Sequence, residues 1–342
     1  MKPLSFTQGW YVIHSLYGSG RCSKDKCFPC GSVVPCDVPW REIMENIHKK
    51  CEEMITDCTY IGQEFPCCSK FHLVDSEHGP CFSFNTLQNV KSSQDSLFTV
   101  DRTTGPGVLT FRLLHIAVVS IHSVDELSTD SLGMEYKFQK TAFEAVENIL
   151  FSVVEMENNP MVKDTYIEER QCRFSYEIPN KPLHTYPVYS YGACELARST
   201  ERSFERCGCI SPIRDLSYQK YYCNFTGLHC LAEYEAKKRL GLGNDKHDEK
   251  CLPSCVENEI LIMHLRKRTL TSSKDVDDPS TLVTIRMSSL PHLRYQRNLL
   301  RTDLDLVVSV GGMAGLFFSA SVLSVVEIFY LIMRTPSKST LE

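Results

Sequence analysis

Cysteine constrains this chain more than any other residue type. Seventeen cysteines lie in 342 residues, all of them between Cys22 and Cys255, and the last 87 residues have none. No iron–sulfur spacing or recognisable metal motif accompanies them. Cys27-Phe-Pro-Cys30 is a C-x-x-C that, with Cys22 and Cys36, has enough thiols for zinc. In so cysteine-rich a chain disulfides are the better reading. The pattern predicts a disulfide-bonded domain folded in an oxidising compartment, with neither a metal nor a cofactor. One N-glycosylation sequon, Asn224-Phe225-Thr226, sits between Cys223 and Cys230 and fits the same compartment.

A second constraint begins where the cysteines end. Leu306 to Val326 contains no charged residue, and after Glu327 the apolar run continues to Met333. A helix needs about 20 residues to cross the hydrocarbon core of a bilayer, so this run is long enough to span with tilt. Arg294, Arg297 and Arg301 precede it while Arg334 and Lys338 follow, and basic residues alone therefore leave the orientation open. The cysteines place residues 1–305 outside and 334–342 inside. Residues 1–20 contain no continuous apolar signal segment, and the expectation is a chain that continues upstream.

The span has unusual content for an inert anchor. Gly311, Gly315 and Ser319 recur every four residues, a stripe of small side chains that lets another backbone approach closely. Ser319-Ala320-Ser321 puts small polar residues in mid-span, where backbone carbonyls can face water only along a lumen. Glu327 adds a charge that is costly in lipid. A pore explains these features together better than simple helix pairing does. The formal charge of -5 and the lack of a basic run exclude a nucleic-acid partner. No HExxH, GxSxG or phosphate-binding glycine loop is present, and an enzyme is not expected.

Between these landmarks the chain reads as mixed α+β. "GVLTFRLLHIAVVSIH" (107–122) and "TLVTIRMSS" (281–289) have strand character. "TAFEAVENILFSVV" (141–154) fits either a helix, by the spacing of Phe143, Val146, Ile149 and Val153, or a strand, by its β-branched end. Helices are expected over Glu195–Glu205 and Leu231–Leu240.

"GGMAGLFFSASVLSVVEIFY" resembles the second transmembrane segment of the degenerin/epithelial sodium channel family, and the resemblance covers most of the chain. "CTYIGQEFPCCSKF", "GPCFSFN", "IHSVDELS", "ERQCRF", "YSYGAC", "CGC" and "CLPSC" follow in the family's order, with wording similar to insect pickpocket-type subunits. The resemblance implies a homotrimer or heterotrimer around a passive, amiloride-sensitive sodium pore in the plasma membrane. It implies a hand-like extracellular domain of palm, β-ball, knuckle, finger (about 40–100) and thumb (about 190–258), followed by one transmembrane helix over 306–333. Ser319, Ala320 and Ser321 would form the selectivity filter, with Val308, Gly311, Gly312, Gly315 and Glu327 in the pore and gate.

The same resemblance implies a thumb ladder of Cys172–Cys255, Cys194–Cys251, Cys207–Cys230 and Cys209–Cys223. One further rung is replaced by Arg198 and Glu249, which are expected to form an ion pair. Cys58 is expected to pair with Cys67 or Cys68, and Cys81 with Cys30 or Cys36. Nine cysteines precede residue 90, so at least one is unpaired there or bonds another chain. Ser319 stands where the family has glycine, Val308 where it has a small residue, and the family's first transmembrane helix has no counterpart here. A single-pass, non-conducting receptor or regulatory subunit is the competing reading.

Overall fold

The computed structural model describes residues 43, 48–89, 94–129, 136–139, 145–239, 250–269, 280–300, 303–319 and 321–334. By contacts the chain divides into two units, Met1–Glu157 with Tyr166–Tyr295, and Asn158–Thr165 with Gln296–Glu342.

The strands are β1 (Ile55–Tyr60), β2 (Gln63–Glu64), β3 (Phe71–Val74), β4 (Cys81–Phe84), β5 (Val108–Leu113), β6 (Val118–Ile121), β7 (Tyr136–Gln139), β8 (Ala145–Asn158), β9 (Glu259–Thr269), β10 (Thr281–Met287) and β11 (Arg294–Arg297). The larger sheet runs β11-β8-β10-β5-β1-β2, with β9 also on β8, while β3–β4 and β6–β7 form two separate hairpin sheets. β10 runs parallel to β8, from Thr281 opposite Ala145 to Met287 opposite Phe151. β10 is antiparallel to β5, and β5 to β1.

Residues 141–154 contain the ambiguous segment, and the strand reading holds from Ala145 onward. β8 is paired on both sides, by β9 and β10. Glu147 and Ile149 are buried two positions apart, and this alternation of period two overrides the helical spacing. The single strand expected over 107–122 is instead two. β5 loses its β10 partner at Leu113, and the chain leaves the sheet before pairing with β7 as β6.

Phe71, Phe111, Leu113, Ile149 and Val283 form the buried centre, with Phe82, Phe84, Val119 and Ile121 of the two hairpins packed against it. Asp57, at φ 53°, sits in the β1 bulge between Thr56 and Thr59, and Arg112 Nε donates to its carboxylate at 2.8 Å. Two disulfides, Cys51–Cys68 and Cys58–Cys67, tie the chain before the bulge and the bulge itself to the helical turn Cys67–Lys70. Six disulfides are present among the described residues of this cysteine-rich, mixed α and β domain.

Helix α1 (Tyr191–Cys207) begins at Ser190, whose Oγ accepts from Ala193 N, and ends at Gly208, whose φ of 67° allows its amide to reach Phe204 O. Ala193, Leu196, Ala197 and Thr200 form its buried stripe at helical spacing. Helix α2 (Phe225–Arg239) starts after Asn224, whose Oδ1 accepts from Gly227 N at 2.9 Å. Both helices extend beyond the expected segments at their N-terminal ends.

In the second unit, Asn159 caps a 3-10 turn over Pro160–Asp164, and its amide donates to Arg297 O at 3.0 Å. The apolar run then forms two helices, α3 (Asp303–Phe318) and α4 (Val322–Arg334), in place of the one expected. Among the described residues no helix is long and apolar enough to cross a membrane. The interruption has a local cause. Ser319 is left-handed at φ 48°, which no α-helix accommodates, and Ser321 Oγ accepts from Ser324 N at 3.2 Å as the cap that restarts the helix.

Candidate functional site: a broken apolar helix and a disulfide-bonded frame

The helix break gathers the polar groups of the apolar run. Ser321 Oγ and Ser324 Oγ are 3.1 Å apart, and Val325 N donates to Ser321 O at 3.2 Å. Glu327 follows one turn later on α4 and is exposed, as is Ser319. Ala320 lies outside the described residues. Val308, Gly311, Gly312 and Gly315 all lie on α3. A Cβ added at Gly311 or Gly312 would meet nothing within 4 Å, so packing inside this chain does not require glycine there. Leu316, Phe317 and Leu323, next to the break, are each more than 70% exposed, and both helices carry large apolar side chains on every face. A helix apolar all round is built for a non-aqueous surrounding.

In the frame, the disulfides join Cys172 to Cys255, Cys194 to Cys251, Cys207 to Cys230 and Cys209 to Cys223, the same pairs the family resemblance implied. Cys58 bonds Cys67 and not Cys68, which takes Cys51. The partners expected for Cys81, Cys30 and Cys36, lie outside the described residues, as does Glu249. Arg198 Nη1 donates to Glu195 Oε1 one turn back on α1, at 3.2 Å. Asn224 is exposed with its Oδ1 used by the helix cap, which leaves its Nδ2 for a glycan.

A buried network ties the segment "IHSVDELS" to the start of α1, and sequence reading did not assign it a role. Glu126 Oε1 accepts from Ser190 Oγ and Gly192 N, each at 2.8 Å, and from Leu127 N at 2.9 Å. Gln88 Nε2 donates to Asp125 O at 2.5 Å and to Val188 O at 3.2 Å. Burial pushes the Glu126 carboxyl up to about 7, against the lowering effect of those donors. Burial also raises Asp125 and lowers His122, whose Nδ1 lies 2.8 Å from Ser123 O. Nearby, burial pushes Asp75 up to about 6 although Arg214 opposes the shift, and Arg214 Nη1 holds Ser76 O at 2.9 Å. The signal available in sequence was the acidic pair itself, but its partner lies 64 positions away.

A family model described as "Amiloride-sensitive sodium channel" matches residues 37–331. "Sodium channel protein Nach" of Drosophila melanogaster is 26% identical over 326 residues, covering 84% of this chain and 59% of that protein. "Acid-sensing ion channel 2" of Danio rerio is 22% identical over 323 residues, covering 84% of this chain and 56% of its own length. The human "Bile acid-sensitive ion channel" is 25% identical over 305 residues, covering 80% and 56%. The chain thus spans little more than half the length of these relatives, which are ion channels by name. With the match extending from residue 37 through the break between α3 and α4, the chain belongs to the amiloride-sensitive sodium channel family, that of the degenerins and epithelial sodium channels.

Proposed function

We propose that the chain is a subunit of a trimeric sodium channel of the plasma membrane, amiloride-sensitive in type, with its cysteine-rich part extracellular as palm, β-ball, knuckle, finger and thumb. The observation that carries this reading is the break between α3 and α4. At 1.5 Å per residue the two helices are roughly 24 and 20 Å long, so neither alone covers a hydrocarbon core of about 30 Å, while the two in series do. Residues 303–334 would then serve as one interrupted crossing. Non-helical backbone at membrane depth is tolerated where it lines water or is buried in protein, and the interruption falls at Ser319-Ala320-Ser321.

In this reading the backbone carbonyls of Ser319, Ala320 and Ser321 and the two serine hydroxyls replace part of the hydration shell of a sodium ion that moves passively down its gradient. Gly311, Gly312 and Gly315 allow the helices of neighbouring subunits to approach, in a homotrimer or a heterotrimer with related subunits, and the other faces meet membrane lipid. Val308 lies towards the extracellular end of α3, and Glu327 faces the water-filled path on the cytoplasmic side. Ser319, with a side chain where the family has glycine, narrows the approach to the backbone and alters selectivity. Arg198 and Glu249 stand in for the missing rung of the ladder.

Voltage-clamp recording from cells expressing the full chain, alone and with related subunits, tests the reading. An inward sodium current that amiloride blocks is expected. Surface delivery of the chain without current in any combination would favour the non-conducting receptor or regulator.

A further inference from the structure

The larger sheet and the two hairpin sheets enclose a cavity of about 500 Å³. That volume lies in the range of small-molecule sites. Its walls are apolar and largely aromatic. Phe111 and Phe151 come from the large sheet, Phe71, Phe82 and Phe84 from the β3–β4 hairpin, and Phe98 from the loop preceding β5. Val119 and Ile121 of β6 also line it. An apolar ligand that fits a space of this size gains dispersion contacts with its lining.

The polar groups are neutral or basic: Ser76, Ser83, Asn85, Ser120, Ser128 and the Tyr60 ring lie among the lining residues. No aspartate or glutamate lines the cavity among the described residues; His48, Lys49 and His122 do. Lys49 and Val118 are exposed, so the rim reaches solvent there. His48 Nε2 is buried with no hydrogen-bond partner among the described residues. A buried polar atom without a partner is costly unless something else supplies one.

We propose that this cavity binds a fatty-acid-type amphipath, its apolar chain held among the phenylalanines and its carboxylate at the Lys49 ammonium and His48 Nε2. The Lys49 ammonium at the rim and the lack of lining carboxylates among the described residues select an anionic head, and the aromatic walls select a long apolar body. The site lies in the disulfide-bonded unit and does not depend on the chain conducting ions.

The test is photolabelling of cells expressing the full chain with a palmitate analogue carrying a diazirine in its acyl chain, followed by peptide mapping. Labelling is expected in peptides containing 71–84 and 117–128. Excess palmitate should remove it, and hexadecanol, which lacks the carboxylate, should compete far less. Lys49→Glu, an exposed change, should reduce it several-fold while the disulfide map stays unchanged. Ala117→Phe, which fills the space, should abolish it. Labelling confined to 303–334 would show membrane partitioning only and overturn the proposal. So would cavity labelling that palmitate does not displace or that Lys49→Glu leaves intact.

Discussion

Glu126 accepts a hydrogen bond from Ser190 Oγ at 2.8 Å, and that same oxygen of Ser190 caps helix α1 through Ala193 N. One serine therefore fixes the start of the helix and ties it to the β6–β7 side of the domain. Ser190→Ala removes the cap and a donor to a buried carboxylate. It should cost about 1–3 kcal/mol, read as a lowered melting temperature of the purified chain.

The protonation of Glu126 gives this junction a pH dependence of definite sign. Its folded pKa of about 7 lies above the ordinary value of 4.5, so the folded chain holds the proton more tightly than the unfolded chain. The resulting stability is fully present below pH 4.5 and is lost as pH rises through 7. Asp75, raised to about 6 from 3.8, adds in the same direction over a lower window. Melting temperatures measured across these windows should fall with rising pH. Glu126→Gln, which keeps the accepting oxygen, should flatten the upper part of the curve.

What the sequence made legible follows from how local each cause is. Four of the eight ladder cysteines occur in the close pairs "CGC" and "CLPSC", and the order and spacing of all eight carry the pairing through the family resemblance. β8 was ambiguous because its own residues suit two structures, and partners more than 100 positions away, in β9 and β10, decide between them. The Glu126–Ser190 link was invisible for the same reason. The helix break differs, because its cause is local: an apolar run gives the same hydropathy signal whether or not one serine turns left-handed.

Gly227 packs directly on the Cys209–Cys223 bridge, where a Cβ would collide with Cys209 Sγ and come within 3.0 Å of Cys223 Cβ. Gly227→Ala should therefore strain or prevent this disulfide, with a loss of up to about 2–4 kcal/mol if the bridge does not form. Peptide mapping under non-reducing conditions, alongside a melting curve, checks both parts.

Asn224 combines a sequon with a helix cap. Asn224→Gln should remove a glycan, seen as loss of the mass shift on glycosidase treatment. It should also weaken the start of α2, since the longer side chain does not reproduce the bond to Gly227 N. Thr226→Ala removes the glycan alone, so the difference between the two variants isolates the cap at about 1 kcal/mol.

An Arg198–Glu249 pair predicts coupling in a double-mutant cycle. Arg198→Ala and Glu249→Ala should together cost less than the sum of the single changes, by at most about 1 kcal/mol for a partly exposed pair. Additive losses would leave Arg198 with its α1 neighbour Glu195 as its significant partner.

The central claim is that the interruption at 319–321 lines the path of the ion. Its most direct test is Ser321→Cys, expressed in the conducting assembly and exposed to a charged methanethiosulfonate reagent during current recording. Lining predicts progressive, irreversible loss of sodium current, slowed by amiloride, with the wild-type current unaffected. Confirmed modification of the cysteine that leaves current and reversal potential unchanged would contradict it.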